Sequence, residues 1–252
     1  MAAVRDILAL LEGIAPLETQ EEWDNAGLLA GDPQARVTRV LVALDLCMEV
    51  LTEAQALGAE MIVTHHPILF RGRKNLREDD PEGRLLAELV RARVALVAMH
   101  TNFDNAENGV NCALCDRLDI QNSEALESGM RAGEIDPATL KEFQSRVESA
   151  LGGAVRAYGD ARRRIRRVAV LGGAGGGYAP IALSAGADAF VTGEISYHAA
   201  LECVAAGMCV LEAGHAATEY PAVGALRRGL QNAINAVQYE VETFESAHRP
   251  FL

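Results

Sequence analysis

Two adjacent histidines, His65 and His66, follow directly on the run Met61-Ile62-Val63-Thr64, and Pro67 closes the segment. Side chains alternate along a strand but splay where it ends, so both imidazoles can reach one pocket at a strand's carboxyl end. Metal binding is the chemistry such a pair suggests; a turn with one ring in solvent and the other packed is the plainer alternative. Two further histidines come with a carboxylate four residues on: His100 with Asp104, and His215 with Glu219. That spacing puts both side chains on one face wherever the backbone is helical. The chain thus offers four imidazoles and two carboxylates, all just after short apolar runs. Imidazole with carboxylate suits zinc, iron, manganese or nickel, and the lack of a neighbouring thiolate argues against a structural zinc site. Six donors exceed the needs of one open catalytic ion. Two ions about 3.5–4 Å apart with a bridging carboxylate would use them. The bland alternative is that several of these histidines cap or pack.

The elements that must position these donors come in two copies. A shift of 128 superposes Arg39, Val40, Val42, Gly58, Ala59, Val63 and Thr64 on Arg167, Val168, Val170, Gly186, Ala187, Val191 and Thr192, with Glu60 over Asp188. Identities that dense point to an internal repeat. Beyond them the shift becomes 115, which lays His100 over His215 and Asp104 over Glu219.

Hydrophobic periodicity predicts an amphipathic first helix, a turn-rich loop through Trp23-Asp24-Asn25-Ala26-Gly27-Leu28-Leu29-Ala30-Gly31, a strand over 39–44, a helix over 47–57 capped by Gly58, and a strand over 61–64. A charged surface loop over 70–82 follows, then a helix over 83–93, a strand over 94–99 and a helix over 108–118. Residues 119–135 carry little pattern and read as the junction between repeats, 1–122 and 123–252. The second half reads as a helix from Pro137 to Ala150, a strand over 167–171, a glycine-rich turn, and then helix 180–185, strand 189–192, helix 197–206, strand 208–211, helix 216–230 and strand 236–241. Alternating strand and helix periods imply a layered α/β architecture with parallel or mixed sheets.

Other signals are weaker. Gly172-Gly173-Ala174-Gly175-Gly176-Gly177 lies between a strand and a helix, where phosphates bind, but lacks the Lys-Ser/Thr of a P-loop and reads better as a tight turn. Gly193 and Glu194 replace the histidine pair in the second repeat, leaving Glu194 and His198 as candidate proton donors or acceptors. The cluster Arg162, Arg163, Arg164, Arg166 and Arg167 reads as an exposed strand start, with phosphate steering as the minority reading. Five cysteines in apolar periodic stretches fit reduced core thiols.

With 252 residues, half of them apolar, the chain can bury a core in one large or two small domains. A formal net charge of −12 argues against nucleic acid or an anionic membrane as partner. No apolar run approaches the roughly 20 residues of a membrane span, and the amphipathic first helix is not a signal peptide, so a cytoplasmic protein is expected.

The blocks WDNAGLL, THHP, HTNFD, VTGEISYH and GHAATE, in this order and spacing, resemble the Nif-three-like dinuclear metal-centre family, whose members are labelled GTP cyclohydrolase 1 type 2 homologues. The resemblance covers nearly the whole chain. It implies two intertwined, duplicated α/β domains with mixed sheets, hexameric rings, and a two-metal site facing an internal cavity. The metal ligands it implies are His65, His66, Asp104, His215 and Glu219, with Glu219 as the bridge; His100 becomes a supporting or proton-transfer residue. The expectation is a dinuclear metal-dependent hydrolase acting on a small, nucleotide-like molecule, with His100 and His198 as proton shuttles. The rivals are a non-catalytic metal-loaded regulatory or protein-interaction ring and a metal-handling protein.

Overall fold

A computed structural model describes residues 1–249. In chain order the elements are β1 (Ala2–Ala3), α1 (Val4–Ile14), β2 (Gly27–Ala30), β3 (Arg36–Val37), β4 (Arg39–Ala43), α2 (Met48–Leu57), β5 (Met61–Thr64), α3 (Pro81–Ala92), β6 (Ala95–Ala98), α4 (Thr101–Asp104) and α5 (Val110–Arg117). There follow β7 (Gln121–Ala125), β8 (Arg131–Thr139), α6 (Leu140–Leu151), β9 (Arg156–Tyr158), β10 (Arg164–Leu171), α7 (Ala179–Ser184), β11 (Ala189–Thr192), α8 (Tyr197–Ala205), β12 (Cys209–Glu212), α9 (His215–Ala236) and β13 (Glu242–Glu245). The chain forms two compact units. One holds residues 1–106 and the chain from Val223 to the last described residue; the other holds residues 107–222.

The first unit is built on a five-stranded sheet ordered β13-β4-β5-β6-β2, parallel except for β2. Its central strands read as unbroken apolar runs because both faces are buried. Leu41, Ala43, Ile62 and Leu96 pack under α2 and α3 with Val50, Leu51, Ala54, Leu85 and Leu89. Cys47 precedes α2, and Gly58, at φ 65°, ends it in the left-handed conformation that a side chain disfavours. Asp80 caps α3 by accepting from the Gly83 N–H at 3.0 Å, and Pro81 occupies the first turn, where no N–H is needed.

The second unit carries a six-stranded sheet ordered β7-β8-β10-β11-β12-β9, with β10, β11 and β12 parallel. The alternation along β10 is explicit: Val168 and Val170 face a core with Phe143 and Val147 of α6, whereas Ala169 and Leu171 face Ala182 and Cys203 of α7 and α8.

The repeat is a repeat of geometry. Val40 stands opposite Met61 as Val168 stands opposite Ala189, so the register carries over at the same shift of 128. Glu60 accepts from the N–H groups of Thr38 and Arg39 at 2.9 Å, and Asp188 accepts from those of Arg166 and Arg167 at 2.9 Å. Arg39 and Arg167 each close the helix that follows, α2 and α7, by donating to the carbonyls of Leu57 and Ala185 at 2.9 Å.

Several expectations need correction. The Trp23–Gly31 stretch is a loop only as far as Ala26, since β2 follows and pairs with β6. Residues 119–135 hold β7 and the start of β8, an antiparallel pair whose outer strand is too polar to show an apolar period. The helix expected from Pro137 begins at Leu140. Thr139 and Glu142 form its capping box, while Pro137 sits in β8 beside a register shift, where a missing N–H leaves no ladder bond unmade. Arg164, Arg166 and Arg167 lie within β10 and do not merely precede it. Residue 236 ends α9 instead of opening a strand, and the last strand is β13, which pairs with β4. Among the described residues no helix is long and apolar enough to cross a membrane.

Candidate metal centre

In the first unit the donors come from the carboxyl ends of two adjacent parallel strands, β5 and β6. His65 and His66 follow β5, and their N–H groups are tied to the Leu44 carbonyl at the end of β4, at 3.1 and 3.0 Å. His100 follows β6 and precedes α4, whose one turn carries Asp104. His65, His66 and His100 each present a ring nitrogen within 4.8 Å of the others. Asp104 Oδ1 lies 3.8 Å from His65 Nε2.

Each ring is held by its other nitrogen. Nδ1 of His65 lies 2.8 Å from the Met99 carbonyl, that of His66 2.8 Å from Asp45 Oδ1, and that of His100 2.7 Å from Asp24 Oδ1. A carbonyl and an ionised carboxylate can only accept, so each imidazole must donate from Nδ1, which leaves the Nε2 lone pair of the neutral ring for a metal. The donor set and its tautomers therefore fit a divalent ion.

Asp24 has a fully buried side chain that accepts from His100 Nδ1, from the Thr101 N–H at 3.0 Å and from the Thr101 hydroxyl. Burial pushes its carboxyl up, but these hydrogen bonds and the adjacent imidazole charge outweigh burial and hold it well below the usual carboxylate range.

In the second unit the same device appears once. His215 opens α9 just beyond β12; its Nδ1 lies 2.8 Å from Glu194 Oε1 and its Nε2 3.2 Å from Glu219 Oε2, one helical turn on. Glu219 is 5 % exposed. The glycine-rich turn is shaped around this pair. A Cβ on Gly173, which has φ +63°, would stand 2.2 Å from Glu219 Oε1 and 3.1 Å from His215 Nε2. Three of its backbone N–H groups are already used: Gly172 donates to Asn111 Oδ1 at 2.8 Å, Gly173 to Thr218 Oγ1 at 3.0 Å and Gly176 to the Glu194 carbonyl at 3.0 Å. The turn serves the acid at 219, and no amide of these three residues is left for a phosphate.

A family model of Duf34/NIF3 (NGG1p interacting factor 3) matches residues 2–250. The chain belongs to the Duf34/NIF3 family. It is 33% identical over 243 residues to the GTP cyclohydrolase 1 type 2 homolog of Clostridium acetobutylicum, covering 92% of this chain and 91% of that protein. The homolog of the same name from Streptomyces coelicolor is 34% identical over 236 residues, covering 88% of this chain and 83% of that protein. Among solved structures, Staphylococcus aureus hypothetical protein SA1388 superposes with a TM-score of 0.94 at 29% identity over 99% of this chain and 98% of that one. A Bacillus cereus protein related to NIF3 superposes at 0.96 with 23% identity over 100% and 99% of the two chains. The mixed α/β fold of this chain is thus the Duf34/NIF3 fold.

The arginine cluster of this Duf34/NIF3 protein is largely committed. Arg166 pairs with Glu134 at 3.1 Å, Arg167 with Glu124, Arg162 with Asp160 at 3.5 Å, and Arg164 donates to the Pro137 carbonyl at 3.2 Å. His198 is exposed, its ring packed against Tyr197, and it belongs to none of the donor clusters among the described residues. Three carboxylates prove to hold imidazoles: Asp24, Asp45 and Glu194. Sequence reasoning singled out Glu194 but missed the other two. Asp45, two residues past the end of β4, was findable, because β4 and β5 are adjacent and their ends must lie side by side. A separate group, Cys47, Glu49 and His248, also brings its donor atoms within 4.8 Å, and His248 is half-buried.

Proposed function

We propose that this chain is a metal-dependent hydrolase in which His65, His66 and Asp104 from the first repeat and His215 and Glu219 from the second would hold two divalent ions, zinc, iron, manganese or nickel. The observation that carries the reading is the fixed tautomer: His65, His66 and His215, in two copies of one fold, each have Nδ1 against an acceptor, which leaves Nε2 for a metal. Two ions so held would supply Lewis acidity and a water acidic enough to react near neutral pH.

The chain's own residues do the rest. Met99, Asp45 and Glu194 fix ring orientation, and Gly173 leaves space for the acid at 219. His100, held on Asp24, is the group we assign to proton transfer, since an imidazole paired with a buried carboxylate can take up a proton at Nε2 while Nδ1 stays fixed. His198, exposed and without such a partner, is the weaker candidate. The substrate class is a small molecule of nucleotide type, in keeping with the name its relatives carry, GTP cyclohydrolase 1 type 2 homolog. A hexameric ring in the cytoplasm is the proposed form.

The test is turnover of a panel of nucleotides and phosphoesters by protein loaded with each metal. The reading predicts hydrolysis that falls at least about a hundredfold in Asp104→Ala. Stoichiometric metal binding with no turnover on any substrate would overturn it in favour of a metal-loaded regulatory ring.

A further inference from the structure

Beside His100 the first unit opens into a cleft of about 720 Å³, bounded by the Asp24-Asn25 turn and by the loop from Leu69 to Leu76. Phe70 lines it at 44 % exposure, and Trp23, 57 % exposed, packs edge-on against Phe70 with ring centroids 5.7 Å apart. Both rings stand 6.2 Å from the His100 ring, so an aromatic wall leads from solvent to the histidine cluster. Large aromatic surface left in water beside a cluster of metal-type donors marks a binding wall more than a packing need.

The loop is held at both ends. Asn25 Nδ2 donates to the Leu69 carbonyl at 2.7 Å, and Arg73 pairs with Asp80 and with Glu82, the latter at 2.9 Å. Between these anchors, Arg71 and Lys74 both line the cleft, are exposed, and form no ion pair or hydrogen bond among the described residues. In a chain of net charge −12, most of whose arginine cluster on β10 is neutralised, two uncommitted cations side by side with an aromatic wall are a distinctive pairing. Cations attract a phosphate, and a half-exposed aromatic pair offers its π-face to a planar ring.

We infer that this cleft binds a nucleoside phosphate, with its base against Phe70 and Trp23 and its phosphate on Arg71 and Lys74. The assignment rests on the hydrolase reading for its catalytic consequence alone; the binding is a property of the loop and needs no metal. It also moves nucleotide recognition away from the two places the sequence offered, the glycine-rich turn and the arginines of β10, whose groups are largely engaged within the fold.

Trp23 is the sole tryptophan in the chain and packs against Phe70 at the edge of the cleft, so its fluorescence reports on that wall. The experiment titrates GMP, guanosine and ribose 5-phosphate into the full-length protein after chelator treatment. Saturable quenching by GMP is expected, with guanosine and ribose 5-phosphate each binding at least about tenfold more weakly. Arg71→Ala/Lys74→Ala should weaken GMP about tenfold or more and leave guanosine unchanged, while Phe70→Leu should weaken both. The inference is overturned if GMP fails to quench saturably, if ribose 5-phosphate binds as tightly as GMP, or if the double variant binds GMP like the parent. GMP binding, with no turnover of any nucleotide or phosphoester by the metal-loaded protein, would sink the hydrolase reading and leave this one standing. Nucleotide turnover with KM unchanged in the double variant would do the reverse.

Discussion

Replacing Asp24 by asparagine keeps the volume of the side chain and removes its charge. The carboxylate accepts four hydrogen bonds in a buried place, from His100 Nδ1 and the Asn25 N–H on Oδ1 and from the Thr101 N–H and hydroxyl on Oδ2. Asn has one accepting oxygen. Whichever way its amide turns, the NH2 faces either His100 Nδ1–H or the Thr101 N–H, donor against donor. One charge-assisted hydrogen bond worth about 1.5–3 kcal/mol is lost, and a buried donor is left unmet at a further cost of about 1–3 kcal/mol, partly relieved by relaxation. A net loss of roughly 2–4 kcal/mol lowers Tm by roughly 5–15 °C for a chain of this size. Chelator-treated protein followed by thermal unfolding at pH 7 measures it.

The pH dependence gives an independent check on the same residue. Because the folded carboxyl titrates below its ordinary value of 3.8, its contribution is complete above about pH 5 and is lost as pH falls through 4 toward the folded value. The gap between wild type and Asp24→Asn should therefore narrow on acidification. A variant within about 1 °C of wild type at pH 7, or a gap of constant size from pH 7 to pH 3, would refute the reasoning.

Two further substitutions probe the supports of the donors. Asp45→Asn, on a half-exposed side chain, should leave the fold intact and weaken metal binding about 10–100-fold in a competitive chelator titration, since it loosens the ring of His66. Gly173→Ala adds a methyl group where Glu219 Oε1 would stand 2.2 Å away and forces a left-handed φ on alanine. It should therefore depress metal affinity at least as strongly as Asp45→Asn and cost about 1–2 kcal/mol in urea unfolding.

How much of this was legible in the sequence depends on the range of the signal. The central strands were readable because burial on both faces makes them apolar runs, and the repeat was readable because Glu60 and Asp188 cap backbone amides in the same way and so keep their positions. Strand β7, with Gln-Asn-Ser-Glu-Ala at the sheet edge, gives no apolar period, and β13 alternates over only four residues. The histidines announced themselves by type and spacing. The grip of Asp24 on His100 spans 76 positions and exists because β2 runs antiparallel to β6, a pairing no local pattern encodes. The exchange at equivalent positions in the repeat, His66 as a donor and Glu194 as the support of another donor, became intelligible only once each ring's second nitrogen was seen to be held.

If acids and imidazoles from the two repeats grip a pair of cations, as proposed, the positions of the bound metals must show it. Anomalous diffraction at the manganese edge, from crystals grown in Mn(II), tests it most directly. The account predicts two peaks about 3.5–4 Å apart, with His65, His66, Asp104 and His215 as ligands and the Glu219 carboxylate touching both. A single peak, or two peaks bound by other side chains, would contradict it.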